Sequence, residues 1–408
     1  MTKVPNRSVR RLADRRRACS SAVIALSIFC AIASIPAGAG SERIDAIVEG
    51  RSAAWREASV LAAGDDANAL LKGWTDVETL FAPSARLEIS GHRRSRSERK
   101  PATDRSFVDV GEPEIIISTY YNNVAAGHVI ATGLAHRPRL ERLMRDAAPH
   151  PDIPDNHTIP IFPDGAQILM AAWWPAAPDR MTAFPVWDGV NEKAQPFGSN
   201  YLSWKRKVVI DPLRGANGPS RVSGQLLGRP FDDAVRVPIS AVRRIQVSEN
   251  MASELMREPA KRKAAVIALG RALRGGDQLL LAGFHIVSKR NGAWNWATFW
   301  WHDSADRGPF ATGRPTGAPA FLHHYLMDIA DDPARPTFNP WLEARFPDGG
   351  AGGGTASNCI ACHQRASYPA ISFLPVTTGA VDPARDAAFA PGRLRTDSIW
   401  GIPRRARR

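Results

Sequence analysis

The sequence predicts an α+β fold, with helices first, a largely antiparallel β core after them, and an irregular or helical segment at the C-terminal end. Three observations carry that prediction. Apolar residues recur at helical spacing before Pro83, short apolar runs bounded by Pro, Gly and Asp dominate from Ile115 onward, and beyond about residue 349 both patterns give way to a Gly-rich stretch. The chain has 408 residues and 44% hydrophobic content, enough for a large core and incompatible with wholesale disorder.

The N-terminus stands apart. Met1 to Arg17 holds seven Lys/Arg against Asp14, Ala18 to Ile35 is uncharged and apolar, and Pro36 leads into Ala37-Gly38-Ala39. Charged, apolar and small-residue regions in that order spell a secretory signal over residues 1–39. The alternative is an uncleaved membrane anchor, since the apolar run is about as long as the shortest bilayer spans. Pro36 and the small Ala37 and Ala39 favour cleavage, which would also remove Cys19 and Cys30. Loss of residues 1–39 lowers the formal net charge from +13 to +7, much of it in the tail Arg404-Arg405-Ala406-Arg407-Arg408. A moderately basic surface without interleaved aromatics predicts no nucleic-acid partner. Membrane contact is expected only through an uncleaved anchor or the basic tail.

Residues 40–106 read as a helical region and a basic linker. Ile44, Ile47, Val48 and Trp55 predict one amphipathic helix over Ser41 to Ala63, and Leu70, Leu71, Trp74, Val77 and Leu80 predict a second over Asp66 to Phe81. Gly91 to Ser106 is polar, basic and without period, as a linker would be. Residues 107–348 form the β-rich body, with strands expected in Glu114–Thr119, Ile159–Trp174, Lys205–Ile210, Val242–Val247 and Gln278–Asp303. One helical stretch, Met251 to Arg274, is interrupted at Pro259. In Gln278–Asp303, a two-residue turn at Asn291-Gly292 would pair His285 with Thr298. Gly283, His285 and Val287 would then share a face with Trp294, Trp296, Trp300 and His302.

Residues 349–408 carry the chemistry. After the signal, Cys359 and Cys362 are the remaining cysteines, in Ser357-Asn-Cys-Ile-Ala-Cys-His-Gln-Arg-Ala366. Residues three apart share a helix face, so both thiols can reach the vinyl edges of one porphyrin, and His363 can turn its imidazole onto the iron. That is c-type haem attachment, and the export signal agrees with it because such haem is attached after translocation. Zinc would need a second ligand pair, which is missing. A thioredoxin-like disulfide would need a strand before the motif, where a Gly run stands. One Cys pair excludes a multihaem array, and no Ser/His/Asp order, P-loop or GxGxxG supports unrelated catalysis.

His363 is the expected proximal iron ligand. No Met, His or Lys follows it, so a distal ligand of those types must come from upstream. The candidates are His285, His302, His323, His324 and Met327. From Thr298 to His302 is about 13 Å at strand rise, so His285 and His302 cannot both meet one iron. Each alone also reads as an ordinary core or loop residue.

Five segments, Ser118–Leu134, Ile159–Pro175, Leu279–Trp301, Asn339–Phe346 and Ser357–Ala366, together resemble a poorly characterised family of exported bacterial monohaem cytochrome c proteins. The resemblance runs from about Glu112 to Ala366. It implies one covalent haem c held through Cys359, Cys362 and His363, and a periplasmic location. The function expected is electron transfer to a redox partner protein, with a haem enzyme having an open distal site, or a haem-based sensor or binding subunit, as alternatives.

Overall fold

The computed structural model describes residues 37–62, 72–82, 115–188, 204–213, 220–226, 229–343, 353–371, 379 and 381–407. Nearly all of the expected signal lies outside them, as do the linker 91–106 and most of the Gly-rich approach to CIACH. By internal contacts the chain divides into Met1–Ile44 and Asp45–Arg408. Of the first unit, only the opening turns of helix α1 (Ala37–Ala58) are described. The boundaries expected near residues 107 and 349 fall inside the second unit.

After α1 come strand β1 (Trp74–Asp76), the turn α2 (Val77–Leu80), β2 (Ile116–Asn122), helices α3 (Asn123–Thr132) and α4 (Arg137–Asp146), and strands β3 (Pro149–His150), β4 (Ile153–Thr158) and β5 (Gln167–Ala176). Next are β6 (Thr182–Pro185), β7 (Lys207–Asp211), β8 (Arg221–Leu226), β9 (Arg229–Pro238), β10 (Arg244–Gln246), α5 (Glu249–Leu255) and α6 (Pro259–Leu269). The chain continues through β11 (Gln278–Arg290), β12 (Ala293–Trp301), β13 (Tyr325–Ala330), α7 (Pro340–Glu343), α8 (Cys359–His363), β14 (Ser367–Tyr368), β15 (Leu394–Arg395) and α9 (Gly401–Arg405).

The fold is α+β. Its centre is a seven-stranded sheet in the order β1-β2-β5-β11-β12-β13, with β10 also pairing β11. Every pair in it is antiparallel. Two four-stranded sheets, β14-β15-β4-β3 and β6-β7-β9-β8, complete the described strands. The β11–β12 hairpin turns as its sequence predicts. Arg290 pairs with Ala293, and Asn291 and Gly292 take φ of 50° and 74°, the left-handed pair that a two-residue turn requires. His285 therefore pairs with Thr298.

That register sorts the sheet into two faces, because side chains alternate along each strand. One face carries Phe284, Phe299 and Met327. Phe284 and Phe299 stack at 4.6 Å, and Trp55 of α1 meets Phe299 edge-on at 5.1 Å. The opposite face carries Ile168, Met170, His285, Val287, Trp296 and Thr298. Val287 and Trp296 share a buried apolar cluster with Tyr368, Leu394, Ile399 and Ile402, and Cys359 and Ile360 pack against it. The CIACH segment thus lies on the hairpin's second face.

Several local expectations change. The predicted helix over Asp66 to Phe81 is, in its described part, strand β1 followed by the turn α2. Gly73 at φ 81° breaks the helical path, Trp74–Asp76 pairs with β2, and the Asp76 carboxylate caps Thr79 N at 2.9 Å. Ile159–Ala166 is not a strand; strand β5 begins at Gln167. Helices α3 and α4 interrupt the β body, with Asn122 capping Ala125 N at 2.9 Å and Gly133 closing α3 at φ 71°. Pro259 splits the predicted helical stretch by starting α6 at its first turn. After CIACH, two short strands are present rather than none.

Replacing Trp55 with Ala is expected to lower unfolding stability by about 3–5 kcal/mol, because a fully buried indole leaves a cavity against Phe299. Urea titration followed by far-UV circular dichroism would measure it.

Candidate functional site

Helix α8 is a single five-residue turn, Cys359–His363, and its geometry is set by the residue before it. The fully buried Asn358 caps the turn, its Oδ1 accepting from Ala361 N at 3.0 Å. Its Nδ2 donates to the carbonyls of Asp332 at 3.1 Å and Arg335 at 2.6 Å. Arg335 is held in turn by a two-pronged bond to the buried Asp328 of β13, at 2.8 and 3.1 Å. One amide therefore joins the motif to the loop that leaves the central sheet. Sequence reading passed over Asn358, although Asn before a helical turn is itself a capping signal.

Cys359 and Cys362 are free thiols, half-buried, three residues apart on this turn. Burial pushes both thiols up, and the nearby Glu343 carboxylate adds to it. Raised thiols are poor nucleophiles, which disfavours a disulfide-exchange centre. Cys359 Sγ leans on the Thr337 carbonyl at 3.4 Å, and Trp400 and Arg404 lie beside Cys362.

His363 is oriented from two directions. Its ring meets the indole of Trp296 at 4.1 Å between centroids, and its Nδ1 lies 2.8 Å from the Ser398 carbonyl oxygen. A carbonyl only accepts, so Nδ1 carries the proton and Nε2 keeps its lone pair. Burial, offset in part by the Ser398 bond and reinforced by His285 and Arg404, pushes this imidazole down to about 3. It is neutral at physiological pH.

The Ser398 carbonyl reaches His363 through a turn in which Asp397 and Ser398 take φ of 47° and 63°. Left-handed backbone at two successive non-glycine residues costs on the order of 1–3 kcal/mol each and persists only where its surroundings impose it. Here Lys289 of β11 imposes it, its Nζ donating to both Asp397 oxygens at 2.8 and 3.0 Å. Asp397 also accepts from Phe162 N at 3.0 Å. The arginines near the end of the chain read in sequence as a basic tail. In the fold it is part of the site: Ile402 is fully buried, Ala406 is 4% exposed, and backbone bonds join Arg407 to Ala135 and Arg137.

This donor set suits a covalently attached haem. Two unpaired thiols sit on one helical turn, and a neutral histidine has Nδ1–H tied to a carbonyl, the arrangement that leaves Nε2 for a metal. Among the described residues no group of three or more His, Cys, Asp or Glu is placed to hold a metal ion by protein ligands alone. Set against known protein families, curated proteins and solved structures, the chain matches none of them.

The distal candidates separate by position. His285 lies on the CIACH face and near enough to His363 to depress it; its Nε2 is 3.0 Å from Glu343 Oε1. Met327 is fully buried opposite Phe299, on the other face of the sheet. His302 sits past the end of β12, its Nδ1 accepting from Ser304 N at 2.9 Å. His323 and His324 end a 3-10 turn, where His324 stacks on Trp301 at 6.5 Å. His324 also lines a cleft of about 330 Å3 with Asp303, Ser240 and Val237. Of the five, the fold brings His285 to CIACH.

Exchanging Lys289 for Met is expected to cost about 3–5 kcal/mol, because the Asp397 carboxylate, 10% exposed, loses its counter-charge; chemical denaturation would read it. Burial lowers the pKa of both His302 and His324. The unfolded chain then binds more protons below its own histidine pKa of about 6.5, so stability present above that pH is lost as pH falls through it. Urea midpoints measured downward from neutral pH should fall, and less steeply in His302→Gln.

Proposed function

We propose that this chain is an exported monohaem c-type cytochrome that passes single electrons to a redox partner protein in the periplasm. The observation that carries the reading is CIACH itself: two free thiols on one turn and a neutral His363 whose Nδ1–H is given to Ser398. Cys359 and Cys362 would hold the haem by thioether bonds, and His363 Nε2 would ligate its iron. The haem supplies a reversible one-electron couple. The protein supplies a buried, largely apolar setting, Trp296 against His363, and the fixed hydrogen bond that tunes the ligand's basicity.

Export rests on the sequence of residues 1–39. Among the described residues, which do not include the apolar run Ala18–Ile35, no helix is long and apolar enough to cross a membrane. The sequence resemblance to exported monohaem cytochromes points the same way.

A second reading, a haem enzyme with an open distal site, draws support from the His285–Glu343 pair. A simple carrier has no need of a histidine and a carboxylate bonded to each other beside its iron ligand.

Protein purified from the periplasm of a host that matures c-type cytochromes is expected to keep its haem after denaturation. It should titrate as one one-electron couple, and Cys359→Ser with Cys362→Ser should abolish the colour. Colourless wild-type protein would defeat the haem reading. A five-coordinate high-spin spectrum that shifts with carbon monoxide would favour the second reading over the first.

A further inference from the structure

We propose that the cleft beside Asp303 binds a small primary ammonium ion carrying a short hydrocarbon body. The proposal is independent of the haem reading. The cleft shares no residue with CIACH, and its Val237 and Ala241 belong to the larger apolar cluster, whereas CIACH packs on the other.

The cleft, about 330 Å3 in volume, forms where three pieces of chain meet. Strand β9 supplies Val235, Val237 and Pro238, the 3-10 turn Ile239–Ala241 supplies Ser240 and Ala241, and Asp303 and His324 complete the lining. Each piece is tied to a sheet. Val235 and Val237 pair with Val208 and Ile210 of β7. Trp301, fully buried at the end of β12, donates its Nε1–H to the Ala241 carbonyl at 3.0 Å and meets Phe184 edge-on at 5.1 Å. The next residue, His302, donates its backbone N–H to the His324 carbonyl at 2.8 Å, which brings Asp303 and His324 to one place. The lining is therefore held by strands and core, as a preformed site requires.

Asp303 supplies the charge. Its side chain is 7% exposed. Oδ2 accepts from Arg206 Nη2 at 2.6 Å, but Oδ1 is buried and has no hydrogen-bond partner among the described residues. His302 Nδ1, 3.6 Å away, is beyond hydrogen-bond reach. Arg206 neutralises Asp303 only in part, because its Nη1 donates to Asp188 at 3.0 Å. Two other guanidiniums stand near, and both are engaged. Arg236, in the lining, pairs with the buried Asp211; Arg314, close enough to affect His324, donates to the carbonyls of Ala305 and Tyr325 at 2.8 and 2.6 Å. A buried carboxylate oxygen without a donor is costly enough to need a reason, and a bound donor is one.

The chemistry of the lining selects the ligand. Calcium takes six or more oxygens, and among the described residues no group of three His, Cys, Asp or Glu is placed to offer them. A charged N–H donor meets the need of Oδ1, and the Ser240 hydroxyl offers a second acceptor. Val235, Val237, Pro238 and Ala241 suit a hydrocarbon body. The volume is at the small end for ligand sites, which limits that body to a few carbons. An alkylammonium has all three properties: charge, N–H and an apolar end.

The test is isothermal titration calorimetry of the full exported chain with n-butylammonium, compared at equal ionic strength with tetramethylammonium, which lacks N–H, with n-butanol, which lacks charge, and with calcium. The variants are Asp303→Asn, Ser240→Phe and, as a surface control, Asp179→Asn, whose side chain is 62% exposed. Ser240 is an exposed residue of the lining, so its added ring takes up the cleft and leaves Asp303 and Arg206 in place. Butylammonium should bind wild type and Asp179→Asn saturably and equally. Affinity should fall by at least about 10-fold in Asp303→Asn, in Ser240→Phe, and for tetramethylammonium and butanol on wild type. Unchanged circular dichroism certifies each variant, and Ser240→Phe decides alone if Asp303→Asn does not fold. Absence of saturable butylammonium binding to wild type overturns the proposal. So does undiminished binding in either cleft variant, equal affinity for butanol or tetramethylammonium, or tighter binding of calcium. None of these results bears on whether CIACH carries a haem.

Discussion

Lys289 is the residue on which the site depends. It belongs to β11, it is nearly buried, and it bonds both oxygens of Asp397. A buried ion pair contributes little net stability over an apolar substitute, because desolvation offsets most of the attraction. What it contributes here is placement. It fixes a left-handed turn that neither Asp397 nor Ser398 favours alone, and that turn aims the Ser398 carbonyl at His363. The same strand, four residues earlier, carries His285. One β-strand therefore helps set the tautomer of the expected iron ligand and carries His285 on the same face.

The hairpin makes this possible because its register has one solution. A two-residue turn at Asn291-Gly292 forbids slippage, and a slip of one residue would move His285, Lys289 and Trp296 together to the opposite face. Gly283 belongs to the same logic: its missing side chain admits Asn339, and Asn339 carries Glu343. The buried Asn339, Asn358 and Lys289 have their side-chain hydrogen bonds met by backbone groups, by Thr298 and by Asp397, which limits the cost of placing them against an apolar sheet face.

Much of this was legible in the sequence. Asn-Gly between two alternating runs gave the hairpin and its register, CIACH gave the thiol spacing, and Pro259 marked a helix start. The rest depends on non-local contact. Nothing in the run around Ser398 signals that its carbonyl will meet a histidine 35 residues earlier. Trp74–Asp76 looked helical by spacing, yet pairing with Tyr120–Asn122 outweighed a weak local preference. Helices α3 and α4 carried their own signals, Asn122 and Gly133 as caps and Pro138 in a first turn; α3 lies in apolar sequence that also reads as strand, whereas α4 is mostly charged. Among five distal candidates of similar standing, only pleat and register could tell that Met327 faces away and His285 faces CIACH.

The central claim is that this sheet face presents Cys359, Cys362 and His363 to a covalent haem. The most direct measurement is the mass of the proteolytic peptide containing CIACH, taken from protein exported in a host with a cytochrome c maturation system. The account predicts a single peptide heavier by one haem, with neither cysteine available to an alkylating reagent. A peptide of unmodified mass, with both cysteines alkylated or joined in a disulfide, would contradict it.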